Sequence, residues 1–365
     1  MIRVLQVGDY LRPRAGIASF LLNYNSVMDT NRVVFDYLII EAEEHIKEKI
    51  EKYGGKVYYM PKLGLSNIGC FCTEIKQFFE NHKYHIVHSH FYQIDSIVKF
   101  IACRNGTKHY ISHSHSTKYA DNCINSFRNY LMSLPMRFAS TEFCGCSVAA
   151  GNFLFGKWTL KLRNKELHVI PNAIDYKKFS FSLDTRNQIR EKYRIKNKKV
   201  FGNLGRFYPP KNHLFLLDVF YEICKLDKES VLMLVGDGVL KNDIVEKAKF
   251  LGVLDKVIFV GATDHPQDFY NAFDCFIFPS LYEGFGLSLL EAEVNGLPCV
   301  CANTIPKEPI VSKNVEILSL KNSSSDWASV CLCMLEKGRN EENLSRKYDL
   351  PFAADDMMKF YEDLL

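Results

Sequence analysis

The stretch "FPSLYEGFGLSLLEAEVNGLPCV", residues 278–300, carries two carboxylates around a glycine-rich turn. Glu283 precedes the turn, and Glu291 lies eight residues further on, inside a run that is typical of a helix. A carboxylate accepts hydrogen bonds at both oxygens and therefore suits vicinal hydroxyls, such as those of a ribose or a hexose. We expect the two side chains to face different parts of an extended ligand. Glu293, by contrast, is predicted to be a solvated acid of the helix surface.

The turn between these acids supplies hydrogen-bond donors. If the helix begins near Gly286, the amides of Phe285, Gly286 and Leu287 have no partner within the helix and lie at the positive end of its dipole. Such helix ends bind phosphate groups and hydroxyls. An ordinary strand-to-helix connection needs no acids here, so the pattern predicts a ligand site at this turn.

A second cluster of chemical interest is cationic. In "NLGRFYPPKNH", residues 203–213, Arg206 and Lys211 lie five residues apart, and two prolines stiffen the span between them. Two cations held at the end of a strand suit a diphosphate. Gly16, which follows the first predicted strand, permits the backbone to approach the same anion closely.

A third cluster consists of histidines. In "KHYISHSHSTKY" the residues His113 and His115 are two apart, so on an extended chain both face the same side. If the strand ends near His113, His115 enters the loop at its carboxyl end. His88 and His90 repeat the same spacing at the end of the preceding predicted strand.

Alternating strands and helices must position these clusters. Short apolar strands alternate with helical patterns along the chain, which indicates parallel βαβ units. The cycle restarts after residue 195, so the pattern predicts two Rossmann-like lobes with a cleft between them. Ligands of open parallel sheets bind at the carboxyl ends of the strands, and each cluster follows a predicted strand.

Composition favours a soluble globular protein. The chain has 365 residues, of which 47% are hydrophobic and 24% charged. No apolar run approaches the roughly 20 residues that span a bilayer, and the N-terminal sequence "MIRVLQVGDY" resembles a buried strand rather than an export signal. We therefore expect a cytoplasmic protein. Twelve cysteines form no C-x-x-C pair, so no structural metal and no metal ligands are predicted.

Positive charge is concentrated in one segment. Between Ser96 and Lys165 the sequence has ten Lys or Arg residues and two acidic residues. Within it, "NFLFGKWTLKLRNK", residues 152–165, interleaves Phe153, Phe155 and Trp158 with basic residues. The segment predicts either a lobe that rests on an anionic membrane or a core-packed helix with solvated lysines. No nucleic-acid recognition motif accompanies the charge, so nucleic acid is not an expected partner.

Together the motifs resemble those of retaining glycosyltransferases of family 4, which have the GT-B fold. "EGFGLSLLE" matches the E-x7-E motif of that family, "GRFYPPKN" its Gly-Arg…Lys diphosphate motif, and "VIPNAID" resembles its V-I-P-N-G-[VI]-D segment. The blocks "EAEVNGLPCV" and "IPKEPIV" are similar to later blocks of the family. The resemblance covers nearly the whole chain and is closest to bacterial capsule and exopolysaccharide glycosyltransferases.

The resemblance implies an α/β protein of two Rossmann-like, doubly wound domains facing a central cleft. The implied boundaries are 1–178 for the acceptor-side domain, 179–345 for the domain that binds the nucleotide sugar, and 346–365 for a helix packing back on the first domain. The implied reaction moves a hexose-type sugar from a nucleotide sugar, with UDP favoured, to a saccharide that is lipid-linked in the favoured case. No D-x-D triplet occurs, which fits a metal-independent enzyme without a cofactor.

The resemblance also implies roles for individual residues. Glu291 would bind the donor ribose, and Arg206 and Lys211 would neutralise the leaving diphosphate, with Gly16 closing over it. The donor sugar would be held by Glu283 together with the backbone of Gly284, Phe285, Gly286 and Leu287.

The catalytic centre follows from the same resemblance. His115, aligned with the family's T-x-H segment, would contact the donor sugar near the reacting carbon and support the transition state, with Ser116 beside it. His88 and His90 are expected to be structural or acceptor-side residues.

Three features depart from the family pattern. The loop "RPRAGIA" lacks the usual paired glycines, Ala173 replaces a usual glycine in "PNAID", and "HSHST" is richer in histidine than usual. A GT-B nucleotide-sugar epimerase and a non-catalytic nucleotide-sugar-binding protein remain alternatives. A NAD-dependent dehydrogenase is disfavoured because no G-x-G-x-x-G opens a helix after the first strand.

Overall fold

The computed structural model describes residues 1–12, 16–64, 66–91, 94–116, 119, 123–340 and 344–365, and only the backbone at 123, 138 and 139. Most of the divergent part of "RPRAGIA", at 13–15, and Thr117 of "HSHST" lie outside these residues.

The chain alternates strands and helices, as the sequence predicts. The strands are β1 (Ile2–Val7), β2 (Tyr10–Leu11), β3 (Val33–Ile39), β4 (Glu41–Ala42), β5 (Val57–Tyr59), β6 (Ile86–Ser89), β7 (His109–Ser114), β8 (Glu142–Gly145), β9 (Leu167–Val169), β10 (Lys199–Leu204), β11 (Ser230–Val235), β12 (Val257–Gly261), β13 (Cys275–Phe278), β14 (Cys299–Ala302) and β15 (Val315–Leu318).

The α-helices are α1 (Gly16–Val27), α2 (Glu44–Lys52), α3 (Ile68–Asn81), α4 (Asp95–Arg104), α5 (Cys123–Ala139), α6 (Val148–Phe155), α7 (Lys157–Leu162), α8 (Tyr176–Phe179), α9 (Leu183–Lys192), α10 (His213–Leu226), α11 (Lys241–Phe250), α12 (Pro266–Ala272), α13 (Leu287–Val294), α14 (Ser324–Lys337) and α15 (Leu350–Asp363). Short 3₁₀ segments cover Pro209–Lys211, Leu254–Lys256 and Arg346–Tyr348.

The chain divides into two compact units. One comprises Met1–Ala173 together with Arg346–Leu365, and the other comprises Ile174–Ser345. Each has its own parallel sheet, in the strand order β5-β3-β1-β6-β7-β8-β9 for the first unit and β12-β11-β10-β13-β14-β15 for the second. The predicted fold class, α/β with two Rossmann-like units, is confirmed.

The buried strands explain why these sheets are parallel and covered on both faces. All residues of β3, "VVFDYLI", and of β11, "SVLMLV", are buried. Such near-continuous apolar runs are typical of parallel strands with helices on both sides. The carboxyl ends of parallel strands lie at the same end of a sheet. The loops that follow neighbouring strands therefore come together there.

The last helix belongs to the core of the first unit. Met357, Met358 and Tyr361 of α15 are buried in the cluster that also contains Val4 of β1 and Phe35 of β3. The C-terminal segment therefore completes the first sheet's packing, although it follows the second unit in sequence.

Ala173 takes the place of a usual glycine without backbone strain. Among the described non-glycine residues, positive φ angles occur at Asn164, Arg194 and Asn212, and Ala173 is not one of them. Its side chain is buried in the core of the first unit. No described helix is both long enough and apolar enough to cross a bilayer.

Candidate active site

Lys211 and Glu283 form an ion pair in the second unit. The strands β10 and β13 are neighbours, and the loops that follow them carry these residues. Lys211 Nζ donates to Glu283 Oε1 at 2.6 Å, and both side chains are largely buried. The structure therefore brings together one predicted cation and one predicted acid.

Two hydrogen bonds to backbone carbonyls hold the two loops in this arrangement. The amide of Leu281 donates to the carbonyl of Pro210 at 2.7 Å, and Asn212 Nδ2 donates to the carbonyl of Pro279 at 3.1 Å. Asn212 has a left-handed φ of 56°, which asparagine tolerates better than most residues. These bonds keep the backbone segments that carry Lys211 and Glu283 next to each other, while the Lys211 side chain remains free to turn.

Gly205 makes room for the Lys211 side chain. A Cβ atom at Gly205 would lie 3.3 Å from Lys211 Cε and 3.4 Å from its Cδ. Beyond this contact, Lys211 Nζ lies 5.2 Å from the centroid of the Phe278 ring. Arg206, on the same loop, is exposed and makes no ion pair with any described residue. Its guanidinium is therefore available to an anion from solvent.

The glycine-rich turn leads into α13 as the sequence predicts. Gly286 precedes Leu287, the first residue of the helix, and has a φ of 98°. This left-handed angle strains residues that carry a Cβ, so the turn needs glycine here. Phe285 is buried at 3% exposure and anchors the turn. Gly284 lies between the acid and this anchor.

Glu291 is paired with a tyrosine that the sequence did not reveal. The Tyr270 hydroxyl, on α12, donates to Glu291 Oε2 at 2.6 Å. Burial raises the pKa of Glu291 to about 7, although the tyrosine hydrogen bond acts in the opposite direction. Glu291 is therefore poised between its protonated and ionised forms near neutral pH. The sequence does not indicate this hydrogen bond, because twenty-one residues separate Tyr270 from Glu291.

The prediction that Glu293 is a solvated acid of the helix surface is wrong. Its side chain is fully buried, and Oε2 accepts the backbone amides of Val311 at 2.9 Å and Ser312 at 2.7 Å. Burial raises its pKa to about 7. Glu293 thus ties α13 to the loop before β15, and its role here is structural.

A second glycine loop supports the cationic one. A Cβ at Gly236, which has a φ of 146°, would lie 2.0 Å from the carbonyl oxygen of Gly205. The amide of Phe207 donates to the carbonyl of Asp237 at 2.9 Å. The signal in the sequence is "GDG", residues 236–238, directly after the strand pattern "SVLMLV".

The four histidines lie together at the carboxyl ends of two neighbouring strands of the first unit. The strands β6 and β7 pair in parallel, with His88 opposite Ile111, so the two "HSH" sequences end side by side. His88 Nε2 lies 3.1 Å from His113 Nδ1, and His90 Nδ1 lies 2.7 Å from His115 Nε2.

These histidines are neutral at physiological pH. Burial lowers the pKa of His88 and of His115 to about 3, and the pKa values of His90 and His113 fall well below the usual range for the same reason. His115 is half-buried, whereas the other three are buried. Imidazole rings in this state act as hydrogen-bond donors and acceptors but carry no charge.

A small cavity adjoins the cluster. It has a volume of about 70 Å³, and its lining includes His90, His113, His115, Phe153 and Ile17. Ile17 follows Gly16, the exposed first residue of α1. Gly16, His115 and the exposed Ser116 belong to the first unit, whereas the predicted cations and acids belong to the second.

The aromatic residues of the basic segment do not share one surface. Phe155 is fully buried, and the half-buried Phe153 packs on Tyr119 with ring centroids 4.5 Å apart. Of the aromatic residues Phe153, Phe155 and Trp158, only Trp158 has an exposed side chain, at 85%. For α6 the structure agrees with the predicted core-packed helix, because its phenylalanines point inward, whereas Trp158 of α7 is left on the surface.

Comparison with known proteins shows which family this chain is similar to. A family model described as glycosyl transferases group 1 matches residues 185–347. EpsF of Bacillus subtilis, a protein named as a glycosyltransferase, is 29% identical over 345 residues, which cover 92% of this chain and 88% of EpsF. This chain therefore resembles group 1 glycosyltransferases along most of its length.

Two further proteins resemble this chain along most of its length. The capsular polysaccharide biosynthesis glycosyltransferase CapH of Staphylococcus aureus is 24% identical over 292 residues, which cover 76% of both chains. The crystal structure of HepE from Anabaena in complex with UDP-glucose superposes with a TM-score of 0.78 at 15% identity, covering 100% of both chains. The chain therefore has the GT-B fold.

Proposed function

We propose that the protein is a retaining, metal-independent glycosyltransferase that moves a hexose-type sugar from a UDP-sugar to a saccharide during synthesis of a capsule or exopolysaccharide. The observation that carries this proposal is the Lys211–Glu283 ion pair, held at 2.6 Å beside the G-F-G turn. The name of CapH supports the biosynthetic role, and the HepE complex supports a UDP-sugar donor.

The donor replaces this ion pair. When the diphosphate binds, Lys211 turns from Glu283 to the phosphate oxygens, and the freed carboxylate accepts hydroxyls of the transferred sugar. Arg206, which has no ion pair among the described residues, supplies the second positive charge. The amides at the start of α13 add donors to the same ligand. Glu291 binds the ribose hydroxyls, with Tyr270 holding one carboxylate oxygen in place.

The transfer itself needs charge stabilisation more than a nucleophile from the protein. The bond between the anomeric carbon and the β-phosphate oxygen breaks, and its electron pair stays on that oxygen. The acceptor hydroxyl attacks from the same face and passes its proton to the leaving phosphate, so the anomeric configuration is retained. Lys211 and Arg206 stabilise the departing charge. His115 contacts the sugar and supports the oxocarbenium-like transition state.

The acceptor is a lipid-linked saccharide at the inner face of the cytoplasmic membrane. On α5, Ile124, Phe127 and Leu131 are exposed at 84%, 65% and 48%, and on α7 the exposed fractions of Trp158 and Leu162 are 85% and 73%. The spacings of three and four residues place each set on one face of its helix.

The charge around these faces suits an anionic bilayer. Arg128 on α5, and Lys157 and Lys161 on α7, are exposed, and neither helix contains an acidic residue. Exposed apolar side chains flanked by basic ones are characteristic of surfaces that bind the interface of anionic membranes.

A donor screen tests the proposed function. Purified protein is heated with UDP-sugars, GDP-sugars and free UDP, and the unfolding temperature is recorded. A ligand at a hundredfold excess over its Kd stabilises a protein by about 2.7 kcal/mol, so a true donor raises the temperature measurably. Stabilisation by a UDP-sugar supports the proposal, and the absence of stabilisation by every nucleotide sugar contradicts it.

A further inference from the structure

Gln6 and Tyr361 connect the four histidines into one hydrogen-bonded chain. Gln6 lies in β1 and Tyr361 in α15, and both are fully buried. Gln6 Oε1 lies 2.8 Å from His90 Nε2, and Gln6 Nε2 lies 3.3 Å from the Tyr361 hydroxyl. That hydroxyl in turn lies 2.7 Å from His88 Nδ1.

The Gln6 amide gives this chain a direction. Its oxygen can only accept, so His90 Nε2 must carry a proton and donate to it. Its nitrogen can only donate, so the Tyr361 oxygen accepts this bond. The 3.3 Å separation agrees with this orientation, because hydrogen bonds from a hydroxyl to an oxygen are usually about 2.5–3.0 Å long.

One arm of the chain fixes the tautomer of His115. His90 is neutral and has its single proton on Nε2, so its Nδ1 is an acceptor. At 2.7 Å, His115 Nε2 must therefore donate to it. Because His115 is also neutral, its own Nδ1 carries a lone pair.

The other arm fixes the tautomer of His113. Tyr361 accepts from Gln6, so its proton goes to His88 Nδ1. His88 Nε2 then donates to His113 Nδ1, which leaves the proton of His113 on Nε2. This nitrogen is buried and has no hydrogen-bond partner among the described residues. His113 also lines the small cavity beside His115.

We infer that Gln6 and Tyr361 are positioning residues of the transferase, which act through His90 and His88 to present a hydrogen-bond acceptor on His115 and a donor on His113. This inference rests on the proposed role of His115. A neutral ring with a fixed lone pair accepts a sugar hydroxyl and does not repel a positively charged transition state, whereas an imidazolium would. The C-terminal helix thus contributes Tyr361 to the setting of the reaction centre.

A metal ion is the competing occupant of the same cluster. One ring nitrogen from each of His88, His90 and His113 lies within 4.8 Å of the others. A bound ion would take the lone pair of His88 Nε2, so His88 Nδ1 would carry the proton and donate to Tyr361. Tyr361 would then accept two hydrogen bonds, and its own buried proton would have no acceptor among the described residues. The separations of 2.7 Å and 3.1 Å between histidine nitrogens also fit N–H···N bonds.

Histidine ring nitrogens report these tautomers directly. Protein labelled with ¹⁵N-histidine is purified with and without EDTA, and long-range proton–nitrogen spectra are assigned with single His90→Asn and His115→Asn variants. The inference predicts a protonated Nε2 and an unprotonated Nδ1 for both His90 and His115. A protonated Nδ1 on His115 overturns it, and so does a spectrum that EDTA changes together with stoichiometric metal in the untreated protein.

Substitutions separate positioning from folding. Gln6→Met removes the acceptor of His90, so we expect the His115 signals to show a mixture of tautomers and kcat to fall about tenfold or more, with the donor KM within about twofold. Tyr361→Phe should shift the ring signals of His88 and His113. Tyr37→Phe is the matched control, because this buried hydroxyl of the same core has no partner among the described residues. Unchanged His115 signals and full activity in folded Gln6→Met protein overturn the inference.

The inference and the proposed function fail differently. If His115→Ala is fully active while the predicted tautomers are observed, the role of His115 in transfer is wrong. If His115→Ala is inactive while His115 carries its proton on Nδ1, the positioning by Gln6 and Tyr361 is wrong and the catalytic role stands.

Discussion

At the residue scale, the two cations of the second unit differ in what they do without a ligand. Lys211 is paired with Glu283, whereas Arg206 is exposed and unpaired among the described residues. We expect Arg206→Ala to leave the unfolding temperature unchanged and to lower kcat by about 10²–10³, the usual cost of removing a group that stabilises transition-state charge. Initial-rate kinetics and thermal unfolding measure both quantities.

The matched control for Arg206→Ala is Lys249→Ala. Lys249 is another exposed cation of the second unit, on α11, and pairs only with its helix neighbour Glu246 among the described residues. The Lys249→Ala protein should retain full activity. Wild-type turnover in Arg206→Ala and Lys211→Ala proteins would show that the diphosphate binds elsewhere.

The protonation of Glu291 should make donor binding depend on pH. Its pKa of about 7 means that the carboxylate is protonated below neutral pH. The neutral acid is a poorer acceptor for ribose hydroxyls, so the Kd for UDP should rise as the pH falls below 7, by at most about tenfold per pH unit. Calorimetry of UDP binding between pH 5.5 and 8 measures this, and Glu291→Gln should remove the dependence. A Kd that is independent of pH in the wild type contradicts the ribose assignment.

His115 and His113 are predicted to differ. His115→Ala should lose turnover by two or more orders of magnitude, taking roughly 10²–10⁴ as the scale for a positioned catalytic group. Donor affinity should change little, and His113→Ala should be milder. Rates and UDP binding of the two variants decide this. Reversed behaviour would exchange their roles, and full activity in both would place the centre elsewhere.

Sequence spacing identifies some of these residues and misses others for a physical reason. Glu283 and Lys211 follow strands that pair in the sheet, so their positions after strand ends are visible in the sequence. The burial of Glu293 depends on amides eighteen and nineteen residues away, and the hydrogen bond of Glu291 depends on Tyr270 of another helix. Such contacts are set by tertiary packing and leave no local pattern.

At the element scale, we expect the exposed apolar faces of α5 and α7 to bind anionic membranes. Double substitution of Trp158 and Leu162 by Glu should abolish flotation with vesicles that contain phosphatidylglycerol at low salt, because it removes exposed apolar area and adds charge of the wrong sign. Phe250→Glu is the matched control, since Phe250 is exposed at 85% on α11 of the second unit. Wild-type protein that does not float with anionic vesicles refutes membrane docking.

The elements themselves are well predicted, and their orientation is less so. Apolar strands such as β3 and β11 and the glycine before α13 are visible as local patterns. The direction in which α6 points its phenylalanines is not, because nearly the whole helix is apolar. Its neighbours in the fold decide which side is buried.

At the scale of the whole molecule, the two units should respond oppositely to acid. In the first unit four histidines have lowered pKa values. Below about pH 6.5 the unfolded state binds protons that the folded state does not, so stability is lost as the pH falls, by up to about 1.4 kcal/mol per pH unit for each proton. Asp95, whose pKa burial raises to about 6, offsets one of them.

In the second unit the carboxyl groups act in the other direction. Burial raises the pKa values of Glu291 and Glu293 to about 7, so between about pH 7 and 4.5 the folded state holds protons that the unfolded state releases, and acidification stabilises this unit. His213, with a pKa lowered to about 4, opposes this in part.

Hydrogen exchange between pH 7 and 5, corrected for the intrinsic rate, measures the two units separately. We expect protection to fall first in the sheet of the first unit. Earlier loss of protection in the second unit would contradict the assigned pKa directions.

The reaction proposed for this protein is retaining transfer from a UDP-sugar without a metal ion. Its most direct test is the anomeric configuration of the product formed from the α-linked UDP-sugar that the donor screen identifies, read by proton NMR in a reaction that contains EDTA. We expect an α-linked product and UDP release at the same rate with and without EDTA. A β-linked product, or activity lost in EDTA and restored by Mg²⁺ or Mn²⁺, would contradict it.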